Sequence, residues 1–178
     1  PVLFLHGFPH DRTLWGPQLG ALAAPVRTIA VDLRNFGEST GAPVTALDDY
    51  VDDVLAFLDA RDLDRAVVVG LSMGGYVALA LWRRAPERVR ALVLCDTKAA
   101  ADTDATRAKR AEQIALVEEK GSAALADVLL PGMLGKTTRA SHPELVEQVH
   151  TMLARAPEQG VTGALRAMAQ RADSTATL

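Results

Sequence analysis

Ser72 lies in Gly70-Leu71-Ser72-Met73-Gly74, a G-x-S-x-G spacing that suits nucleophilic chemistry. Val67, Val68 and Val69 precede it and predict a buried strand. An apolar helical pattern follows Gly75. Strand, tight turn and helix together lift the serine hydroxyl out of the backbone. Glycines two residues before and two after the serine allow the close approach of strand and helix, and Gly75 relieves the same crowding. The helix points its partly positive N-terminus at the hydroxyl. A serine hydroxyl is a weak nucleophile at neutral pH and needs a base, with an acid to orient that base.

A second segment, Val2-Leu3-Phe4-Leu5-His6-Gly7-Phe8-Pro9, is another short apolar strand that ends in His-Gly. A third, Asp32-Leu33-Arg34-Asn35-Phe36-Gly37-Glu38-Ser39, matches D-x-R-G-x-G-x-S except at Asn35, a residue that tolerates left-handed backbone angles. With these three segments the chain resembles the α/β-hydrolase superfamily. The nearest group by motif is that of small esterases, enol-lactonases and cofactor-free haloperoxidases (perhydrolases). The resemblance implies that the N–H groups of Phe8 and Met73 form an oxyanion hole. It implies a small ester-like substrate (carboxylic ester, thioester or lactone), an acyl-enzyme on Ser72, and no metal or organic cofactor. Phe8, Leu14, Trp15, Leu129, Leu130, Met133 and Leu134 are candidates for an apolar acyl pocket, with plain core packing as the alternative for the leucines. A non-enzymatic ligand-binding or receptor use of the same fold remains open. Relatives with an aspartate nucleophile are disfavoured because Ser72 holds the turn.

The elements that position these residues follow from hydrophobic periodicity. Strands are predicted at Val2–Leu5, Thr28–Val31, Ala66–Gly70 and Val89–Cys95. Helices are predicted at Leu14–Ala23, Ala46–Ala60 and Met73–Arg84. In the second, Leu47, Val51, Val54 and Leu58 face inward, with Asp48, Asp49, Asp52 and Asp53 outside. Alternating strands and helices predict an α/β fold with a parallel sheet covered on both faces. By the resemblance these strands are the third to sixth of the hydrolase sheet. The reading therefore divides the chain into a partial core over 1–98 and a helical cap over 99–178.

Beyond Thr97 only amphipathic helices are predicted, near 103–120, 122–130, 142–156 and 158–172. Gly121 reads as a helix stop, and Ser141-His142-Pro143-Glu144 as a capping box. Leu145, Val149, Met152 and Leu153 form an apolar stripe.

In the family the acid and histidine follow the serine, on strands after the cap. Of the four histidines, His6 reads as loop bracing, His10 as a possible pocket residue, and His142 and His150 as cap surface. Asp32 and Asp96 read as braces of strand-end loops. The expectation is that the base, the acid and the outer strands come from sequence outside these residues, or from a separate chain.

The 178 residues are 49% hydrophobic and 23% charged with a net charge of −3, ordinary for a soluble globular domain. Neither nucleic acid nor membrane is an expected partner, since the charges are mixed and no apolar run reaches spanning length. The basic stretch Arg83–Arg90 reads as a solvated helix end. A cytoplasmic location is expected. The one cysteine, Cys95, excludes an internal disulfide and reads as a buried thiol.

Overall fold

The computed structural model describes residues 1–178 apart from 23 and 25. Four strands, β1 (Val2–Leu5), β2 (Thr28–Val31), β3 (Ala66–Leu71) and β4 (Val89–Cys95), form one sheet in the order β2-β1-β3-β4. All pairings are parallel, with Leu5 opposite Val31 on one side and Gly70 on the other, and Leu71 opposite Cys95. The parallel arrangement puts every strand's C-terminal end, and the loop that follows it, on one edge. Three of the predicted strands keep their expected bounds and β3 runs one residue further.

Alternation along β1 decides which side chains enter which layer. Leu3 and Leu5 pack with Val68 of β3 against α2 (Leu47–Ala60) and α3 (Met73–Arg84). Leu47, Tyr50, Val51, Val54 and Leu58 of α2 are buried, as the 3.6-residue period requires. Each such side chain contributes about 1.5–3 kcal/mol of burial. Asp49 reaches back at the start of α2 and accepts from the N–H groups of Thr45 (2.7 Å) and Ala46 (3.0 Å).

Phe4 and Val69 point to the other face, where they pack with Trp15. The helix expected over Leu14–Ala23 is a 3₁₀ turn at Arg12–Trp15 followed by α1 (Gly16–Ala21); its predicted end, Ala23, lies outside the described residues. Asp11 starts the 3₁₀ turn by accepting from Thr13 N–H at 2.9 Å, and Gly16-Pro17 begins the second segment. Cys95 corrects the expectation of a buried thiol. It is half-buried because β4 has a sheet neighbour on one side only among the described residues.

The remaining helices form a cap: α4 (Asp104–Met133), α5 (Lys136–Ser141), α6 (Pro143–Ala154) and α7 (Glu158–Ala169). Gly121 breaks α4 at φ 79, ψ 173, as expected, but the second half continues to Met133 through Pro131. The capping box does not form. Ser141 is already the last residue of α5, and His142 precedes α6 without a side-chain cap. Pro143 explains the break, because a following proline disfavours the helical region, and His142 stands outside it at φ −132, ψ 66. Of the predicted apolar stripe only Leu153 is fully buried; Leu145 is exposed. Helix α7 lies on the core, and its Gly160 faces Asn35 so closely that a Cβ would overlap the Asn35 carbonyl.

The chain leaves for the cap through 99–102 and returns through 171–174, and these two segments are tied together. Buried Asp102 receives hydrogen bonds from Arg110 and Arg171, and Arg171 also donates to Ala100 O at 2.7 Å. The Arg171 guanidinium lies 4.0 Å above the Tyr76 ring. Helix α7 ends at Ala169 rather than 172 because Arg171 is drawn into this network. Among the described residues no helix is long and apolar enough to cross a membrane.

Candidate active site

Strand β3 ends one residue before Ser72, and α3 begins one residue after it. Ser72 itself takes φ 49, ψ −109, a conformation L-residues rarely adopt. The glycines have steric reasons. A Cβ on Gly70 would collide with the Gly74 carbonyl, and one on Gly74 with the carbonyl of Leu5. The elbow and the end of β1 are therefore in backbone contact. Gly7, next along β1's loop, lies close enough to Leu71 that a Cβ would stand 3.3 Å from its carbonyl oxygen.

Ser72 is half-buried, and its hydroxyl has no hydrogen-bond partner among the described residues. Its backbone is fully engaged. The N–H donates to Cys95 O at 2.9 Å, and the carbonyl accepts from Gly75 N–H (3.0 Å), Tyr76 N–H (3.3 Å) and the Thr97 hydroxyl (2.7 Å). The N–H groups of Phe8 and Met73 have no backbone acceptor among the described residues. Met73 is the first residue of α3, so the helix's positive end faces the serine.

His6 is fully buried beside the elbow, with both ring nitrogens occupied. Nε2 accepts from Leu33 N–H at 3.0 Å, which puts the proton on Nδ1 to donate to Gly7 O at 3.0 Å. Its ring meets Phe36 edge-on at 5.4 Å. Burial pushes its pKa down to about 4, against a smaller opposing pull from the Gly7 hydrogen bond. His6 is thus a neutral brace between two loops. His150 bonds Asp127 at 2.9 Å and His142 lies 3.4 Å from Glu144, both on the cap.

Asp32, at the end of β2, collects the loops around the site. It accepts from Arg12 N–H (2.7 Å), the Arg12 guanidinium and Glu38 N–H (2.9 Å). Gly37, at φ 53, leaves room for that carboxylate. Asn35 takes φ 65, and its amide bonds Ala42 O and Gly41 N–H, each at 3.0 Å. Asp96 corrects the expectation of a second brace. It is exposed at φ 40, and its carboxylate bonds no loop backbone among the described residues.

A cavity of about 340 Å³ lies between the loop after β1, the loop after β2 and helix α6. Pro9, His10, Asp11, Phe36, Met152 and Arg155 are among its walls. Burial lowers the pKa of His10, and its Nδ1 has no partner among the described residues. Arg155 and Asp11, both on the cavity wall, pair at 2.6 Å. Burial pushes the Asp11 carboxyl up, but hydrogen bonds from Thr13 and Arg155 outweigh it and hold it below the ordinary range. Arg155 carried no signal in the sequence, and Met152 was visible only as part of the apolar stripe.

The expected acyl-pocket residues fall in different places. Phe8 meets Phe36 edge-on at 6.4 Å. Trp15 meets Phe4 at a tilt with ring centroids 5.0 Å apart, with Leu14 beside it, on the sheet face opposite α2 and α3. Leu129 packs on the main core, while Leu130, Met133 and Leu134 are half-buried at and just past the end of α4. None of these lines the 340 Å³ cavity.

A family model described as alpha/beta hydrolase fold matches residues 1–168. The chain is 30% identical over 169 residues to 3-oxoadipate enol-lactonase 1 of Acinetobacter baylyi, covering 95% of this chain and 62% of that one. Its fold superposes on a thermophilic esterase from Thermogutta terrifontis with a TM-score of 0.96 at 38% identity, covering 100% of this chain and 66% of the other. An enol-lactonase from Burkholderia xenovorans LB400 gives 0.88 at 26% identity, with 97% and 65% covered. The chain thus spans somewhat under two thirds of the length of these relatives. The parallel sheet with its helices agrees with these matches, and the chain belongs to the alpha/beta hydrolase fold family.

Proposed function

We propose that this chain carries the nucleophile of a serine hydrolase that cleaves carboxylic esters, thioesters or lactones. The observation that carries the reading is the strained Ser72 between β3 and α3, whose hydroxyl has no partner among the described residues and whose neighbour Met73 opens the helix with an N–H that has no backbone acceptor among them. The esterase and enol-lactonase names of its relatives support the substrate class. Ser72 Oγ attacks the carbonyl carbon and gives its proton to a histidine. The N–H groups of Phe8 and Met73 take the developing oxyanion; one such donor contributes about 3 kcal/mol to the transition state. The histidine passes that proton to the leaving alcohol or thiol (in a lactone the freed hydroxyl stays tethered to the acyl chain), and water then releases the acyl group and returns a proton to Ser72. His6 is excluded as the base by its occupied nitrogens. His142 and His150 face carboxylates on the cap. In this reading the base and its acid come from sequence outside these residues. Residues 1–98 serve as the part of the core that holds the serine, and 99–178 as the cap over it.

The test uses the whole protein, a fluorophosphonate probe and p-nitrophenyl butyrate. The probe labels Ser72, and Ser72→Ala abolishes both labelling and turnover. Ester turnover that survives Ser72→Ala, or an unlabelled wild type, overturns the reading; the latter outcome favours a ligand-binding role.

A further inference from the structure

Strand β4 and the residues just after it hold Ser72 at both of its peptide groups. Cys95 O receives the Ser72 N–H, and the Thr97 hydroxyl donates to Ser72 O. Gly75 and Tyr76 N–H are the ordinary donors to that carbonyl, since they belong to the helix the serine begins. Thr97 is the nearest of the three donors, at 2.7 Å, and comes from a different part of the chain.

A residue at φ 49, ψ −109 stays there only when its surroundings over-determine it. The N–H contact fixes one side of Cα, and the carbonyl contact fixes ψ on the other. Between these anchors the Cα–Cβ bond, which carries the hydroxyl, has one direction. Gly75 supports the assignment independently. It is helical and needs no glycine for its backbone angles, yet a Cβ there would overlap the Oγ1, Cβ and Cγ2 atoms of Thr97. The glycine makes room for the threonine.

We propose that Thr97 is a positioning residue, whose hydroxyl holds Ser72 in the strained conformation from which Oγ attacks. The proposal rests on the reading of Ser72 as nucleophile. Thr97 touches Ser72 through its carbonyl and acts through the geometry of that residue alone. Misplacing a reacting atom by an ångström costs on the order of 100-fold in rate, and loss of one of the four hydrogen bonds that hold the Ser72 backbone costs a part of that.

Two near-isosteric changes separate the hydroxyl from the packing. Thr97→Val keeps the contact with Gly75 and removes the hydroxyl; Thr97→Ser keeps the hydroxyl and removes the methyl. In the whole protein, Thr97→Val lowers kcat for p-nitrophenyl butyrate and the rate of fluorophosphonate labelling about tenfold. KM stays within about twofold, and Thr97→Ser recovers kcat to within about threefold of wild type. Thr97→Ala adds no bulk and takes the place of Thr97→Val if that variant does not fold. Undiminished kcat in the variant lacking the hydroxyl overturns the proposal, as does a Thr97→Ser variant as slow as Thr97→Val. Either result leaves the nucleophile reading intact if wild type labels at Ser72. An unlabelled wild type overturns both.

Discussion

His6 shows how burial sets the chemistry of a single side chain. Its pKa is near 4 in the folded chain and 6.5 when exposed. Between these values the unfolded chain binds a proton that the folded chain excludes. The stability that depends on neutral His6 is therefore complete above pH 6.5 and is lost as the pH falls toward 4. It amounts to on the order of 3 kcal/mol. Denaturant unfolding at pH 7 and pH 4.5 measures it. His6→Gln, which still offers Leu33 N–H an acceptor, removes this component of the pH dependence. A variant with an undiminished slope assigns the effect to another group. The strained Ser72 and the left-handed Asn35 obey the same local logic: each sits where nearby backbone groups make up for an unfavourable φ.

Helix α7 is seated by its small residues. A Cβ on Gly160 would overlap Asn35 O, and one on Gly163 would stand 3.0 Å from Val44 O. Gly160→Ala must push the helix off the loop after β2, and lowers stability by about 1–3 kcal/mol. Gly132, at the end of α4, has open space around it. Gly132→Ala is neutral or stabilises by up to about 1 kcal/mol, because only the backbone entropy of the unfolded chain changes. Thermal unfolding of the two variants side by side separates the cases, and equal melting temperatures refute the close seating of α7. The elements of the core were legible from sequence because their periods are local: Leu47, Val51, Val54 and Leu58 mark α2 without reference to anything else. Helix α5 and the failed capping box were not legible. Whether Ser141 caps a helix or ends one depends on residues 136–140, whose polar composition carries no period.

At the scale of the whole molecule, Asp102 joins the two passages between core and cap. Burial pushes its carboxyl up, but the hydrogen bonds from Arg110 and Arg171 outweigh that and hold it below the ordinary range. The Asp102 and Arg171 side chains are only 3% and 4% exposed, so breaking the pair leaves a buried cation rather than a solvated one. Asp102→Asn lowers stability by about 3–5 kcal/mol. Protease cleavage at 99–103 and 170–174 accelerates in that variant, as the cap's two attachments loosen together. Cleavage confined to one passage contradicts the joint role. The same network lies over Tyr76, one turn into the helix that Ser72 begins, so the cap is anchored close to the proposed nucleophile.

The sequence by itself determined the strand–turn–helix at Ser72, the His-Gly loop, the parallel α/β core and the family. These features depend on a few adjacent residues whose sterics allow one local answer. Tertiary structure decided which side chains meet around the loops after β1 and β2. Leu14 and Trp15 share a short segment with His10 and Asp11, yet they pack under the opposite sheet face, because the 3₁₀ turn rotates them onto Phe4. Met152 and Arg155 meet Pro9 and Asp11 across some 140 residues of chain, through the docking of α6. Spacing along a sequence cannot encode such a meeting, since it depends on where each helix comes to rest on the folded core.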